Sequence, residues 1–180
     1  MGNSDSDSYA RASMRSCRLV GQFIQHWAGV ESQLDNTMAA ALGLTSLQAA
    51  IVAVNIPVAN KIHITATAVE LAGLDEKKIK HYKRHLNKLW DLNDDRNMLV
   101  HYMFGPSEDE TATNFIVTQA KGKLKFPDIV WTSEDFAKRY KHMRALDQKL
   151  GELTKELKKS PQPPPSFVQL RLRPPQQAAR

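Results

Sequence analysis

The sequence predicts a mainly α-helical fold, with four to five helices and a β-hairpin before the last long helix. Apolar residues recur at helical spacing through most of the chain. The chain has only 8 glycines, and its central part is rich in Ala, Leu, Lys and Glu, which favours helix. One segment alone, at about 112–132, has the alternating period that is typical of strands.

Length, charge and cysteine content limit the kinds of protein that this can be. The 180 residues suit one domain with a substantial hydrophobic core. The net charge of +6 favours a polyanionic partner such as RNA, although many basic proteins bind no polyanion. The single cysteine, Cys17, excludes an internal disulfide and a cysteine-based zinc site. Without a long apolar run or a signal-peptide pattern, we expect a cytoplasmic protein that does not enter the membrane.

The first helix is predicted from about Arg11 to Leu42, where Gly43 supplies a stop. Residues 1–10 are polar, and we expect them to form a flexible N-terminus. A long helix with one apolar stripe packs that face against the rest of a bundle. The stripe consists of Leu19, Phe23, Trp27, Val30, Leu34 and Met38.

Capping residues and a proline mark the next helices. Thr45 is a good N-cap for the second helical segment, which Pro57 is predicted to kink or break near Ile56. Asp75 caps a third helix, which is predicted to continue as far as Gly105–Pro106. These signals divide the middle of the chain into short helices followed by a long one.

The period of the apolar residues changes after the third helix. Alternating residues on both sides of Lys121–Gly122 predict a β-hairpin at about 112–132. Pro127 confines its second strand to an edge or a bulge. A last amphipathic helix is predicted from about Glu134 to Lys159.

The helical domain is therefore expected to span 11–159, and a proline-rich basic tail follows at 160–180. Such a tail is either an extended linker or ligand, or a disordered segment. The alternating FVQLRLR within it could add as a strand to a neighbouring sheet edge.

An arginine lies on the apolar stripe near the end of the third helix, in the stretch DLNDDRNMLVHY. Successive helix residues turn by about 100°, which places Arg96 on this stripe and Asn97 one turn before His101 on the neighbouring face. An arginine in such a place needs a carboxylate, a phosphate or a wet interface, because an unpaired buried charge is very costly. The apolar residues of this stripe on the third helix are Leu89, Leu92, Leu99 and Met103.

Two interpretations of these polar residues stay open on the pattern alone. In the structural one, Arg96 pairs with a nearby carboxylate, and His101 caps the C-terminal end of the helix, where a cation is favoured. The candidate carboxylates are Asp91, Asp95 and Glu31. In the functional one, the arginine and the histidine belong to an active site.

The segment RNMLVH, from Arg96 to His101, resembles the R-x(4–6)-H motif of the HEPN family (higher eukaryotes and prokaryotes nucleotide-binding). In that family a polar residue often follows the arginine, as Asn97 does here. Its members are helical bundles with the motif in a late helix. Their long first helix often carries a glutamate, to which Glu31 in WAGVESQL corresponds. At the level of architecture the resemblance covers roughly residues 15–155.

The resemblance implies that RNA is cleaved without metal or cofactor by a symmetric homodimer, acting as a toxin or antiviral-defence effector. His101 is then the general base that activates the ribose 2′-OH. The hydroxyl attacks the adjacent phosphate and leaves a 2′,3′-cyclic phosphate. Arg96 stabilises the charge that builds on the phosphate, and Asn97 positions His101 or the phosphate itself.

The residues around the motif bear on its regulation and on an alternative function. Relatives that a nucleotidyltransferase antitoxin modifies carry a tyrosine two residues after the histidine, where this chain has Met103. Tyr102 instead follows His101 directly, and with Glu31 and Asp95 it is a candidate supporting residue. An antitoxin or other regulatory protein is an implied partner. Some members have lost activity and serve as modules that bind a protein or a nucleotide.

A basic face on the third helix predicts a track for the RNA backbone. A solvated helix face without a ligand is the alternative. His81 and His85 lie one turn apart, but the sequence offers no clear third ligand, so we expect no metal site. The basic residues of the predicted RNA track are Lys80, Lys83, Arg84 and Lys88.

Overall fold

A computed structural model describes residues 3–120, 124–125 and 127–159 of the chain. These residues form five helices, with a small antiparallel sheet between the fourth and fifth helices, so the predicted mainly α-helical bundle with a hairpin is confirmed. The predicted tail at 160–180 lies outside the described residues. The helices are α1 (Asn3–Leu42), α2 (Ser46–Asn55), α3 (Val58–Leu71), α4 (Glu76–His101) and α5 (Ser133–Lys159). The strands are β1 (Met103–Pro106), β2 (Thr113–Ile116), β3 (Gln119–Ala120), β4 (Leu124–Lys125) and β5 (Asp128–Trp131).

The first helix begins earlier than its sequence predicts. It starts at Asn3, so the predicted start near Arg11 is wrong, and most of the segment expected to be flexible is helical. Contacts with a residue far along the chain explain the difference. The Ser8 hydroxyl donates to the carboxylate of Glu110, and the Arg15 guanidinium donates to the backbone carbonyl of Glu110. These bonds hold the first turns of α1 against the connection between β1 and β2.

The predicted cap and break in the second helical segment are confirmed. The Thr45 side chain accepts a hydrogen bond from the backbone N–H of Gln48 at 3.4 Å, and the Gln48 side chain accepts one from the Thr45 N–H at 2.9 Å. The helix ends at Asn55, and Ile56 is extended because the following Pro57 disfavours helical backbone. No side chain of α2 is buried.

The fourth helix begins where predicted but ends earlier. The Asp75 carboxylate accepts from the backbone N–H of Lys78 at 2.9 Å and caps the helix. The predicted end at Gly105–Pro106 is wrong, because α4 stops at His101. The next residues, Met103–Pro106, form β1 and pair with β2. His101 is therefore the last helical residue, at the junction between helix and sheet.

The predicted hairpin is present, and a third strand extends it. β2 pairs with β5, and β3 pairs with β4, both antiparallel. The unpredicted β1 gives the sheet order β1-β2-β5, with Phe115 opposite Phe104 on one side and Ile129 on the other. β5 is thus an edge strand within the described sheet, as Pro127 just before it predicts.

The hydrophobic core lies between α1, α5 and the inner face of the sheet. Trp131 is central to it, with its ring centroid 5.1 Å from that of Phe115, 5.2 Å from Phe136 and 6.1 Å from Phe23. Buried residues of α3 and α4 continue the same cluster. Each long helix contributes one apolar face, and across the described residues no helix has the length and apolar character needed to cross a bilayer.

Candidate functional site

The C-terminal end of α4 carries the motif. Leu89, Leu92 and Leu99 are buried as predicted, and Arg96 lies half-buried among them. The prediction also placed Met103 on this stripe, and that is wrong, because Met103 lies in β1 and is 75% exposed. The apolar stripe of α4 therefore ends with Leu99.

Arg96 has an amide rather than a carboxylate as its neighbour. Its Nη1 donates a hydrogen bond to Oδ1 of Asn97 at 3.1 Å. Among the ion pairs of the described residues none includes Arg96, so pairing with Asp91, Asp95 or Glu31 is not found. A guanidinium has five N–H donors, and this arrangement uses one of them on a neutral group.

Asp95, a candidate supporting residue, belongs to a different contact. Its Oδ2 accepts a hydrogen bond from Nε of Arg139 on α5 at 2.8 Å. The guanidinium carbon of Arg139 lies 3.6 Å from the centroid of the Trp131 ring, a cation–π contact. Burial raises the pKa of Asp95 above its ordinary value, although Arg139 opposes this. The contacts of Arg139 with Asp95 and Trp131 link α4 to α5 and β5, and they give Asp95 a structural role.

A pocket of about 500 Å³ adjoins Arg96. Its polar wall is formed by Arg96, Asn93 and Asn97 of α4 together with residues of α1 and α3. Its apolar wall is the corner between α2 and α3, which the break at Pro57 creates. Pockets of this size with one apolar side and a few polar groups are typical of small-ligand sites. The apolar wall consists of Ala53, Val54, Ile56, Pro57, Val58 and Ala59.

A buried lysine, which the sequence did not single out, joins the polar wall to α1. Lys61 is 3% exposed, and its Nζ lies 3.0 Å from Oε1 of Glu31 and 2.8 Å from Oδ1 of Asp35. Burial lowers the pKa of Lys61, but its bonds to Asp35 and Glu31 outweigh burial, so the pKa is raised. The sequence pattern could have predicted this ion pair. Lys61 lies on the same helix face as the buried Thr65 and Val69, and a cation on a buried face requires a carboxylate.

His101 lies near this pocket but does not line it. It is exposed at the end of α4, one helical turn beyond Asn97, which corresponds to roughly 6 Å between Cβ atoms. No hydrogen bond joins His101 to Asn97 or Arg96 among the described residues. The next residue, Tyr102, is turned towards the sheet, where its hydroxyl donates to the Thr118 carbonyl at 3.4 Å. A single chain therefore does not bring Arg96 and His101 into contact.

Exposed apolar side chains lie close to His101 in the chain and on the strand pair that follows it. Val100 is 48% exposed, and Met103 lies opposite the exposed Ile116 in the pairing of β1 with β2. Where exposed apolar residues form a contiguous surface, that surface is often a protein–protein contact. The surface formed by Val100, Met103 and Ile116 is called the helix-end patch below.

The predicted basic track is only partly free of counter-charges. Lys80, Lys83 and Arg84 line one groove on α4, and Lys83 forms an ion pair with Glu70 of α3 in the same groove. Lys88 is exposed one turn beyond Arg84. Burial, followed by the charge of Lys88, lowers the pKa of His142 on α5. The four basic residues thus lie along one helix, but Lys83 already has a carboxylate partner.

The histidine pair on α4 does not form a metal site by itself. The ring centroids of His81 and His85 are 4.5 Å apart, and Nδ1 of His85 lies 2.9 Å from the His81 carbonyl oxygen. Within the described ranges no group of three or more His, Cys, Asp or Glu side chains is arranged to hold a metal ion.

Comparisons with family models, with curated proteins and with solved structures find no match for this chain. The resemblance of RNMLVH to the HEPN motif thus stays a prediction from the residues.

Proposed function

We propose that this chain is a metal-independent endoribonuclease of the HEPN type, with a composite site at a homodimer interface. The observation that carries the proposal is the state of Arg96, which is half-buried and forms no ion pair within the described residues. A half-buried guanidinium without a carboxylate partner is suited to an anionic ligand, and its planar, bidentate donor geometry matches a phosphate.

The proposed reaction gives His101 and Arg96 different roles. An imidazole nitrogen of His101 takes the proton of a ribose 2′-OH, and the 2′-oxygen attacks the adjacent phosphorus. The bond to the 5′-oxygen of the next nucleotide breaks, and that oxygen takes up a proton as it leaves. The products are a 2′,3′-cyclic phosphate and a free 5′-OH. Arg96 donates to the phosphate oxygens while their negative charge increases.

A second copy of the chain is needed because Arg96 and His101 do not meet in one chain. The helix-end patch supports this part of the proposal, since burying it against a second copy would bring two α4 termini together. Two arginines and two histidines would then share one cleft. In a cell the protein would act on cytoplasmic RNA as a toxin or defence effector, held in check by a regulatory protein.

A second candidate function is a catalytically silent module that binds a protein or nucleotide. The observation that favours it is the composition of the pocket, which contains Arg96 and Asn97 but not His101. Binding through Arg96 needs no general base, so this function would survive the loss of His101.

Cleavage assays with EDTA present separate the two candidates. We expect the wild type to cut single-stranded RNA to cyclic-phosphate ends, and we expect Arg96→Ala and His101→Ala each to lower the rate by at least about 100-fold. Arg144→Ala, at an exposed position of α5, is a control away from the motif and should cleave like the wild type. Intact RNA with every wild-type preparation, or unchanged cleavage by His101→Ala, contradicts the ribonuclease proposal. Growth arrest on expression, lost in the same two variants, tests the toxin role.

A further inference from the structure

The pocket beside Arg96 has two unlike walls. The corner of α2 and α3 presents apolar carbon, while the lining residues of α1 and α4 present carboxylate, amide and guanidinium groups. A planar heterocycle is the kind of ligand that fits both, because its faces are apolar and its edge carries donors and acceptors.

Charge is distributed unevenly along the polar wall. Glu31 and Asp35 share the single cation of Lys61, so that end keeps a net negative charge. Arg96 of α4 supplies a positive charge to the same pocket and has no carboxylate partner in the described part of the chain. The complementary ligand carries hydrogen-bond donors at one end and negative charge at the other.

We infer that this pocket binds a guanine nucleotide, with the base against the corner and a phosphate at Arg96. Guanine has two adjacent donors on its Watson–Crick edge, N1–H and N2–H, which match the two oxygens of a carboxylate. Glu31 is the carboxylate placed to receive them: Oε1 accepts from Lys61 at 3.0 Å, and Oε2 has no partner among the described residues. Adenine, cytosine and uracil offer no such pair of adjacent donors. The amides of Asn93 and Asn97 supply donors for the remaining guanine acceptors.

This assignment gives the proposed reaction a base preference, and in that respect it rests on the proposed function. In the proposed reaction Arg96 binds the scissile phosphate, so a guanosine whose base occupies the pocket and whose 3′-phosphate lies at Arg96 presents its own 3′ bond for cleavage. Cleavage is then expected on the 3′ side of guanosine.

Binding is measured first, without cleavage. The full chain carrying His101→Ala is titrated calorimetrically with the 3′-monophosphates of guanosine, adenosine, cytidine and uridine. We expect guanosine monophosphate to bind at least about tenfold more tightly than the other three, as a good bidentate pair predicts. Equal binding of all four, or binding of none, overturns the inference.

Pocket variants locate the site. Ala59→Phe fills the pocket and should weaken guanosine monophosphate at least about tenfold, whereas Thr67→Phe at an exposed position of the same helix should not. Val54→Asp and its control Leu47→Asp repeat the comparison at exposed positions of α2, where folding is insensitive. Glu31→Gln should abolish the preference for guanine. Unchanged binding in both Ala59→Phe and Val54→Asp overturns the assignment to this pocket.

Mapping of the cut sites then separates this inference from the proposed function. Cleavage without a guanosine preference overturns the inference and leaves the ribonuclease proposal standing. Tight guanosine monophosphate binding by a protein that cuts no RNA supports the pocket and overturns the ribonuclease proposal.

Discussion

The guanidinium of Arg96 donates a hydrogen bond to the side-chain oxygen of its neighbour Asn97 over 3.1 Å. The amide orients the guanidinium without neutralising it, which leaves the full positive charge for an anion. Whether residue 97 is neutral or negatively charged therefore decides whether the charge of Arg96 is available to an anion.

Replacing Asn97 by Asp tests this relationship. A carboxylate at the same position would pair with Arg96 and compete with phosphate, so we expect RNA cleavage to fall by about 100-fold or more. Asn97→Ala removes the orienting bond but no charge, and it should have the smaller effect. Rates are measured under single-turnover conditions, with melting temperatures as the folding control. Equal activity of Asn97→Asp and Asn97→Ala would show that charge at Arg96 is not what the site requires.

A charge in the helix-end patch tests the dimer. Met103 is 75% exposed in one chain, so Met103→Glu should change the unfolding free energy of that chain by no more than about 0.5 kcal/mol. We expect the variant to be monomeric by light scattering and to lose cleavage, because a composite site needs both copies. Leu71→Glu, at a similarly exposed position at the end of α3, is the matched control. A wild type that is monomeric at active concentrations contradicts the composite site.

Lys61→Met tests the buried ion pairs behind the pocket. Removing the cation leaves Glu31 and Asp35 facing each other, and we expect a loss of about 3 kcal/mol in the free energy of unfolding by urea. Lys77→Met, at an exposed position of α4, should have almost no effect.

The same variant makes a prediction about pH. The pKa of Lys61 is raised in the folded chain, so its contribution to stability is complete below the unfolded pKa of about 10.4. It is lost as the pH rises through the folded pKa. As the pH rises through the folded pKa of Lys61, the free energy of unfolding should therefore fall more in the wild type than in Lys61→Met. If the free energies of both proteins fall in parallel with pH, Lys61 does not make this contribution.

Arg139→Ala tests the link between α4 and α5. It removes the hydrogen bond to Asp95 and the contact with the Trp131 ring, and we expect destabilisation by about 2 kcal/mol. Arg144→Ala, further along the same helix and exposed, is the control. Because burial already raises the pKa of Asp95, part of the lost stability should return as the pH falls through that folded pKa. Retention of full stability would mean that the contact is not formed in solution.

The boundaries that the sequence predicts correctly depend on local chemistry. Thr45 and Asp75 cap helices through bonds to residues three positions on, and Pro57 breaks a helix by its own ring. β1 could not be predicted in this way. Its segment MFGP continues the apolar pattern of the helix, and only pairing with β2 further along the chain makes it a strand.

In the candidate site, too, local geometry predicts some features and tertiary packing determines the others. The relative placement of Arg96, Asn97 and His101 follows from helix geometry, so the spacing alone predicts it. The meeting of Lys61 with Glu31 and Asp35 depends on how α3 packs against α1, which no local pattern encodes.

One wall of the pocket comes from a helix with no buried side chain. α2 lies between the Gly43 turn and Pro57, and it contributes Ala53 and Val54 to the pocket. Segments with so few buried contacts open at a small fraction of the free energy of global unfolding. Amide protons of α2 should therefore exchange with solvent much faster than those of α4 or α5. We expect the residence time of the inferred nucleotide to follow the opening of this one short helix, while the bundle around it stays closed.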